Sequence, residues 1–327
     1  MTRLSVLTAF FNEAPNLPRL RERLNAVFEH LDVEPEIVLI DDHSTDDSPA
    51  VAKQWASTDE RVSYFRLSRN CGSHAAFSAG LEKCSGDCAV LLAADLQDPP
   101  ETIPALIAKW REGFEVVWAV RGGRKGEAWT TKLFSRIYYW LMQRLALPEM
   151  PATGADFVLV DRKVVDAYNR IREKHTSFMA MILWIGFRQT FISYTKEVRL
   201  AGRSKWTLQK KLKLFVDSIV SFSYAPIRLM SLFGFVLALC GFAYAIAVII
   251  GWLVGYVVAG TGYAALMTVL LIGQGAILMA LGIVGEYLWR TFDEVRGRPR
   301  YFFEEQISAA RYSRVANLED YSLEKSH

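Results

Sequence analysis

Short apolar runs at residues 4–9, 36–40, 62–67, 88–93 and 115–120 are mostly followed by segments of helical period. Runs of that length predict buried strands. Their alternation with helices predicts an α/β fold, a mostly parallel sheet with helices on both faces. Two later segments carry one-sided stripes instead. Leu133, Phe134, Ile137, Tyr138, Leu141 and Leu145 recur at helical spacing within 129–147, and Leu208, Leu212, Phe215, Ile219 and Phe222 do so within 206–226. Lys132 and Ser135 sit three apart off the first stripe, and Lys210, Lys211 and Lys213 oppose the second, a pattern suited to amphipathic helices in a headgroup layer. From Leu229 to Gly285 there is no Asp, Glu, Lys, Arg or His. One helix of that length would run about 85 Å, nearly three times a hydrocarbon core of about 30 Å. Two spans, about 230–258 and 264–288, joined across Ala259-Gly260-Thr261-Gly262, fit better.

Charge sets the expected orientation. Lys205, Lys210, Lys211, Lys213 and Arg228 precede the first span, and Arg290, Arg296, Arg298 and Arg300 follow the second. Basic flanks stay on the cytoplasmic side, which predicts a plasma (inner) membrane protein whose large N-terminal domain and both termini are cytoplasmic. The expected organisation is a cytoplasmic domain over 1–205, a juxtamembrane helix over 206–228, the two spans within 229–289 and a C-terminal tail over 290–327, frayed after Glu304. Met1-Thr2-Arg3 leads into an apolar run too short for a signal peptide. A net charge of +3 over 327 residues gives no footprint for nucleic acid. Cys71, Cys84, Cys88 and Cys240 form no CxxC pair and the histidines are scattered, which argues against structural zinc and disulfides.

The candidate chemistry collects where the predicted strands end. Asn12-Glu13 follows the first run, Asp41-Asp42-His43-Ser44 the second, Arg69-Asn70-Cys71-Gly72 the third, Asp95-Leu96-Gln97-Asp98 the fourth and Arg121 the fifth. In open α/β sheets ligands bind beyond the carboxyl ends of the strands. Neither GxGxxG nor GxxxxGK[ST] is present, so a dinucleotide fingerprint and a P-loop are unsupported. Oxygen ligands such as Asp95 and Gln97, with arginines nearby, suit Mg²⁺ or Mn²⁺ on a phosphorylated ligand.

Three strings resemble, in order and spacing, family-2 glycosyltransferases of the GT-A fold. They are Ser5-Val6-Leu7-Thr8-Ala9-Phe10-Phe11-Asn12-Glu13, the stretch from Glu36 through Asp41-Asp42-His43-Ser44-Thr45-Asp46-Asp47-Ser48, and Ala94-Asp95-Leu96-Gln97-Asp98-Pro99-Pro100-Glu101. Arg199-Leu200-Ala201-Gly202-Arg203-Ser204-Lys205-Trp206, the two spans and Gly297-Arg298-Pro299-Arg300-Tyr301 extend the resemblance to the polyprenyl-phosphate branch, over about residues 3–305. The resemblance implies Phe11, Glu13, Asp42 and Ser44 at a nucleotide sugar, with Asp95 and Gln97 holding a divalent metal on its diphosphate. It places Arg121, Lys132 and Ser135 at the acceptor lipid phosphate, with Arg199, Ser204 and Lys205 as a second cluster. Asp156 falls near the sugar, which makes Asp95, Asp156 and Arg121 the catalytic set. One position departs from the pattern: where the family's metal motif is usually Asp-x-Asp, this chain has Ala93-Ala94-Asp95.

The implied reaction is inverting transfer from a nucleoside-diphosphate sugar, UDP-glucose or another UDP-hexose, to undecaprenyl or another polyprenyl phosphate. Ala93 also motivates a noncatalytic nucleotide-sugar-binding or scaffold protein. A processive polysaccharide synthase is disfavoured because its Gln-x-x-Arg-Trp motif is missing, and a translocator because the spans lack intramembrane charges. Small residues such as Gly234, Gly241, Gly251 and Gly255 suggest close helix packing and a homo-oligomer, a tetramer being the expectation.

Overall fold

The computed structural model describes residues 1–122, 140, 142–144, 151, 155–171, 173–174, 176–197, 220, 223, 225–255 and 262–308. The chain divides into one unit of Met1–Phe215 with Pro299–His327 and a second of Val216–Arg298.

The five strands expected from the apolar runs are all present: β1 (Arg3–Phe10), β2 (Glu34–Asp41), β3 (Val62–Leu67), β4 (Cys88–Ala93) and β5 (Val116–Arg121). Three more join them: β6 (Ala155–Asp161), β7 (Gln189–Tyr194) and β8 (Phe303–Ile307). The sheet order is β7-β5-β6-β4-β1-β2-β3-β8. Strands β1 to β4 run parallel, and β5 and β7 share their direction. Only β6, inserted between β4 and β5, and β8 at the edge are reversed. The sheet is therefore mixed. Because β6 runs backwards, its first residues lie at the same sheet edge as the last residues of β4 and β5.

The described helices of this unit are α1 (Leu17–Phe28), α2 (Ser48–Thr58), α3 (Ser73–Lys83), α4 (Ile103–Arg111), α5 (Arg162–Asn169) and α6 (Phe178–Ile185). On α1 the buried residues Leu17, Leu20, Leu24, Val27 and Phe28 recur every three or four positions, so one stripe meets the sheet. Full burial of each such side chain contributes about 1.5–3 kcal/mol. At the opposite end of the sheet from the strand-end motifs, buried Glu36 accepts from the Ser5 hydroxyl and from the Ser85 amide and hydroxyl. The Gly86 amide donates to Ser5 Oγ at 2.8 Å.

The tail does not fray at Glu304. Residues 303–307 add β8 antiparallel to β3. Phe303 packs against Phe65 with the ring planes tilted by 58° and 5.6 Å between centroids, and Lys53 Nζ reaches Glu305 at 2.6 Å. The segment has too little apolar periodicity to announce a strand; its partners come from β3 and α2.

The second unit is a pair of long helices, α7 (Ala225–Leu253) and α8 (Tyr263–Val295). The first starts and ends earlier than the expected span at 230–258, and the second continues past the expected end at 288. Apolar windows at Ala225–Gly251 and Ile272–Val295 are long enough to cross a bilayer. Leu, Phe, Ile and Val dominate their exposed surface, more apolar area than a water-facing helix pair tolerates. The polar end of α8 carries an Arg290–Glu286 pair at 2.8 Å. Among the described residues, and apart from the helix's own backbone, no atom lies within 4 Å of where a Cβ would stand on Gly234 or Gly241, so these two glycines show no close approach to α8. The stripes at 129–147 and 206–226 fall almost wholly outside the described residues, as do residues 309–327.

A Cβ at Gly86 would stand 2.7 Å from the Ser5 amide nitrogen and 2.8 Å from the Arg3 carbonyl oxygen, both backbone atoms that cannot turn aside. Gly86→Ala is expected to destabilise the sheet unit by about 1–3 kcal/mol, read as a lower thermal midpoint in detergent.

Candidate active site

The loops leaving β1, β2 and β3 are stitched into one rim by hydrogen bonds that neighbours in sequence cannot make. Asp41 is fully buried at the end of β2 and accepts from the Ser44 amide at 2.7 Å and the Tyr64 hydroxyl at 3.1 Å. Arg66 completes the set, with Nη1 3.3 Å from Asp41 Oδ2 and Nη2 3.1 Å from the Ser44 carbonyl oxygen. The intervening His43 adopts φ 61°, a left-handed conformation that a non-glycine residue holds only when its surroundings fix it.

Asp42 points to different partners. Its carboxylate accepts from the amides of Cys71 at 2.7 Å and Gly72 at 2.9 Å, and the Asn70 side chain donates to its carbonyl at 3.1 Å. Gly72, at φ +88°, presents that amide just before α3. Burial pushes the Asp42 carboxyl up to about 6, against the pull of the two amides. On the β1 side, the Asn12 amide donates to Ser44 Oγ at 3.0 Å, and the Thr45 amide returns a bond to Asn12 Oδ1 at 2.8 Å. The Glu13 amide donates to Ser48 Oγ at 2.8 Å, and its carboxylate accepts from Asn16 at 2.6 Å. Phe11, Glu13, Asp42 and Ser44 are thus gathered on one rim. Phe11 is half-buried there, whereas Ser44 is buried with its hydroxyl engaged by Asn12, so it shapes the rim from beneath.

The turn after β4 sorts its residues by alternation. Ala94, Leu96, Asp98 and Pro100 are buried, while Ala93, Asp95 and Gln97 are half-buried. Leu96, at φ 58°, drives its side chain into the core, leaving Asp95 and Gln97 in the outer set. The Gln97 amide bonds Asp95 Oδ1 at 3.2 Å. Asp98 is an anchor: it accepts a short hydrogen bond from the Tyr194 hydroxyl and lies 3.6 Å from Lys196 Nζ.

This loop in turn holds the chain that leaves β7. The Glu197 amide bonds the Gln97 carbonyl at 2.8 Å, and Arg23 of α1 forks to Glu101 at 2.5 Å and Glu197 at 2.8 Å. Those carboxylates, Glu101 first, hold the Arg23 guanidinium above its usual range.

An oxygen pair of Asp95 and Gln97 is a sparse donor set for a divalent cation. Among the described residues no group of three or more His, Cys, Asp or Glu side chains stands ready to hold a metal. The pair fits Mg²⁺ or Mn²⁺ only where a ligand's phosphates complete the shell. Ala93 occupies the outer set where a second carboxylate would stand.

Arg121 ends β5 half-buried, in register with Tyr194. Asp156 belongs to β6 beside Ala155, which pairs with Val120, so its backbone lies at the same sheet edge. Lys132, Ser135, Arg199, Ser204 and Lys205 lie outside the described residues. The strand-end motif Arg69-Asn70-Cys71-Gly72 contributes through its Cys71 and Gly72 amides and the Asn70 side chain, whereas Arg23, Arg66 and Tyr194 build the site without any motif to mark them. Their side-chain partners lie as far as 238 positions away, and no local spacing marks them.

A mixed α/β sheet with its acidic, amide-rich loops gathered at one edge is the architecture of the GT-A glycosyltransferases. The chain belongs to glycosyl transferase family 2, whose model matches residues 5–197. It is 36% identical over 300 residues to an uncharacterized glycosyltransferase of Bacillus subtilis, covering 92% of this chain and 93% of that one. It is 37% identical over 316 residues to the undecaprenyl-phosphate 4-deoxy-4-formamido-L-arabinose transferase of Pseudomonas savastanoi pv. phaseolicola, covering 94% of this chain and 91% of that one. Among solved structures, glucosyl-3-phosphoglycerate synthase from Mycobacterium tuberculosis, in complex with Mn²⁺, UDP-glucose and phosphoglyceric acid, aligns over 67% of this chain and 78% of that one, with a TM-score of 0.48 at 19% identity.

The Asp42 carboxyl carries a pH prediction. Its folded value of about 6 lies above the ordinary 3.8, so the folded state binds the proton more tightly. That contribution is full below 3.8 and is lost as pH rises through 6. The stability of the unaltered protein relative to Asp42→Asn is expected to grow by up to about 3 kcal/mol on lowering the pH from 7.5 to 4, measured as the difference between their denaturation curves.

Proposed function

We propose that the protein transfers a sugar, with inversion, from a nucleoside diphosphate to a polyprenyl phosphate at the cytoplasmic face of a membrane. The observation that carries this is the reach of the similarity to the undecaprenyl-phosphate transferase, which takes in 94% of this chain, too much to leave out the long apolar helices. A soluble sugar acceptor would give no reason for a glycosyltransferase domain to continue into two membrane-length helices. The chain leaves the sheet unit, forms α7 and α8, and returns to pair β8 with β3. In this reading both flanks of the helix pair, each continuous in sequence with the sheet unit, lie on one side of the bilayer. Arg228, Arg290, Arg296, Arg298 and Arg300 on those flanks favour the cytoplasmic side.

In this reading Phe11, Glu13, Asp42 and Ser44 form the nucleotide end of the donor site. Arg121, Lys132 and Ser135 hold the acceptor phosphate, with Arg199, Ser204 and Lys205 on the segment that follows β7. The acceptor's second pKa near 6 leaves it mostly dianionic at neutral pH, so its oxygen attacks the anomeric carbon without a strong general base. The chain's tasks are to bring two anions together and to stabilise the departing diphosphate. Arginine and lysine side chains do the first. A divalent cation held by Asp95 and Gln97 would supply positive charge for the second. Asp156 orients a sugar hydroxyl. The bonds between residues 97–101 and 194–197 tie the segment leading to Arg199 to the turn that carries Asp95.

The test is transfer of radiolabel from a panel of UDP- and GDP-sugars, including UDP-glucose, other UDP-hexoses and the 4-deoxy-4-formamido-arabinose donor, into undecaprenyl phosphate extracted to the organic phase. One donor is expected to serve. Chelation should abolish transfer and Mg²⁺ or Mn²⁺ restore it, and Asp95→Ala should lower kcat by about 100-fold or more. Nucleotide binding without transfer from any donor would favour the second reading, motivated by Ala93, of a membrane-anchored nucleotide-sugar-binding protein.

A further inference from the structure

The segment that returns from α8 does more than cap an edge of the sheet. Arg300 Nη2 bonds the Lys174 carbonyl at 2.8 Å, the Tyr301 hydroxyl bonds Glu82 at 2.8 Å, and Lys83 Nζ lies 4.6 Å from the Phe303 ring centroid. The strand these contacts anchor delivers one side chain to the donor rim. Glu304 Oε2 accepts from Arg66 Nε at 3.0 Å and stands 3.4 Å from His43 Nδ1. His43 Nδ1 also lies 3.0 Å from the Leu67 carbonyl oxygen.

A guanidinium is a rigid planar fork, so a carboxylate on Nε fixes the direction of both Nη atoms. Here those atoms reach Asp41 and the Ser44 carbonyl, the two ends of the 41–44 turn. The same carboxylate faces the imidazole of His43, the residue within the turn that holds left-handed backbone. We propose that Glu304 is a positioning residue for the donor: through Arg66 and His43 it fixes the turn that carries Asp42 and Ser44. This rests on reading that turn as part of the nucleotide-sugar site. The strand made after the helix pair is then a working part of the donor site.

Half-exposed ion pairs contribute little to global stability, so a purely structural role and a positioning role give different readouts. Glu305 supplies the control. It lies on the same strand and pairs with Lys53 of α2. UDP and GDP binding in Mn²⁺ would be titrated by calorimetry on the full-length protein in detergent, with thermal midpoints recorded in parallel. Glu304→Gln is expected to weaken binding of the recognised nucleotide about threefold and Glu304→Lys about tenfold or more, while Glu305→Gln binds as the unaltered protein does. The midpoints of Glu304→Gln and Glu305→Gln should match. Affinities for both Glu304 variants within about twofold of the unaltered protein would overturn the proposal. So would an equal loss in Glu305→Gln, which would report general loosening of β8. Should Glu304→Lys not fold, Glu304→Gln decides alone. Nucleotide binding needs no lipid acceptor, so failure of the polyprenyl reading leaves this test intact. If the unaltered protein binds neither nucleotide, the donor reading of the rim falls and the proposal with it.

Discussion

A carboxylate buried at the end of a central strand has to be satisfied on every side, and Asp41 shows how much structure that requirement recruits. Leaving such a charge unpaired would cost several kcal/mol, so the fold supplies an amide, a phenol and a guanidinium. The partners come from two pieces of the rim. The Ser44 amide closes the turn after β2, Tyr64 and Arg66 come from β3, and Arg66 extends the network to β8 through Glu304. Once Asp41 is held, the next residue along faces the other way, and Asp42 organises the amides before α3. Two adjacent aspartates thus separate into a structural group and a rim group.

The turn after β4 solves a related problem with backbone geometry. Alternating burial of residues 94–100 sends Leu96 and Asp98 inward and leaves Asp95 and Gln97 as the outward oxygen donors. The left-handed Leu96 is tolerated because its side chain gains full burial. The inward Asp98 fastens the turn to Tyr194, and the Glu197 amide fastens the next stretch to the Gln97 carbonyl. The turn after β4 and the segment leaving β7 are in this way joined directly, with Arg23 of α1 bridging Glu101 and Glu197. On the proposed function, Ala93 in the outer set would leave less protein charge facing a divalent cation, and more of the coordination would fall to the donor's diphosphate.

The two units solve opposite solvation problems. The sheet unit hides its apolar residues and spends polar side chains on loop-to-loop bonds. The helix pair shows apolar residues on its outside and satisfies its backbone within each helix, the arrangement that lipid demands. The reverse strand β8 lets one chain do both, since the sheet unit is completed only after the helix pair has been made.

Much of this was written into the sequence because it depends on near neighbours. Strands β1 to β5 follow from short buried runs, α7 and α8 from a long stretch without charge, and the rim from polar motifs placed where strands must end. The family itself was legible, because its motifs are contiguous strings. What tertiary structure alone decided is pairing. The order of the strands, the reversal of β6 and the recruitment of residues 303–307 into β8 depend on partners far along the chain. Neither could periodicity separate Asp41 from Asp42, nor link Arg66 to Glu304 across 238 positions. Local period fixes which face a residue presents; only the packed topology fixes what that face meets.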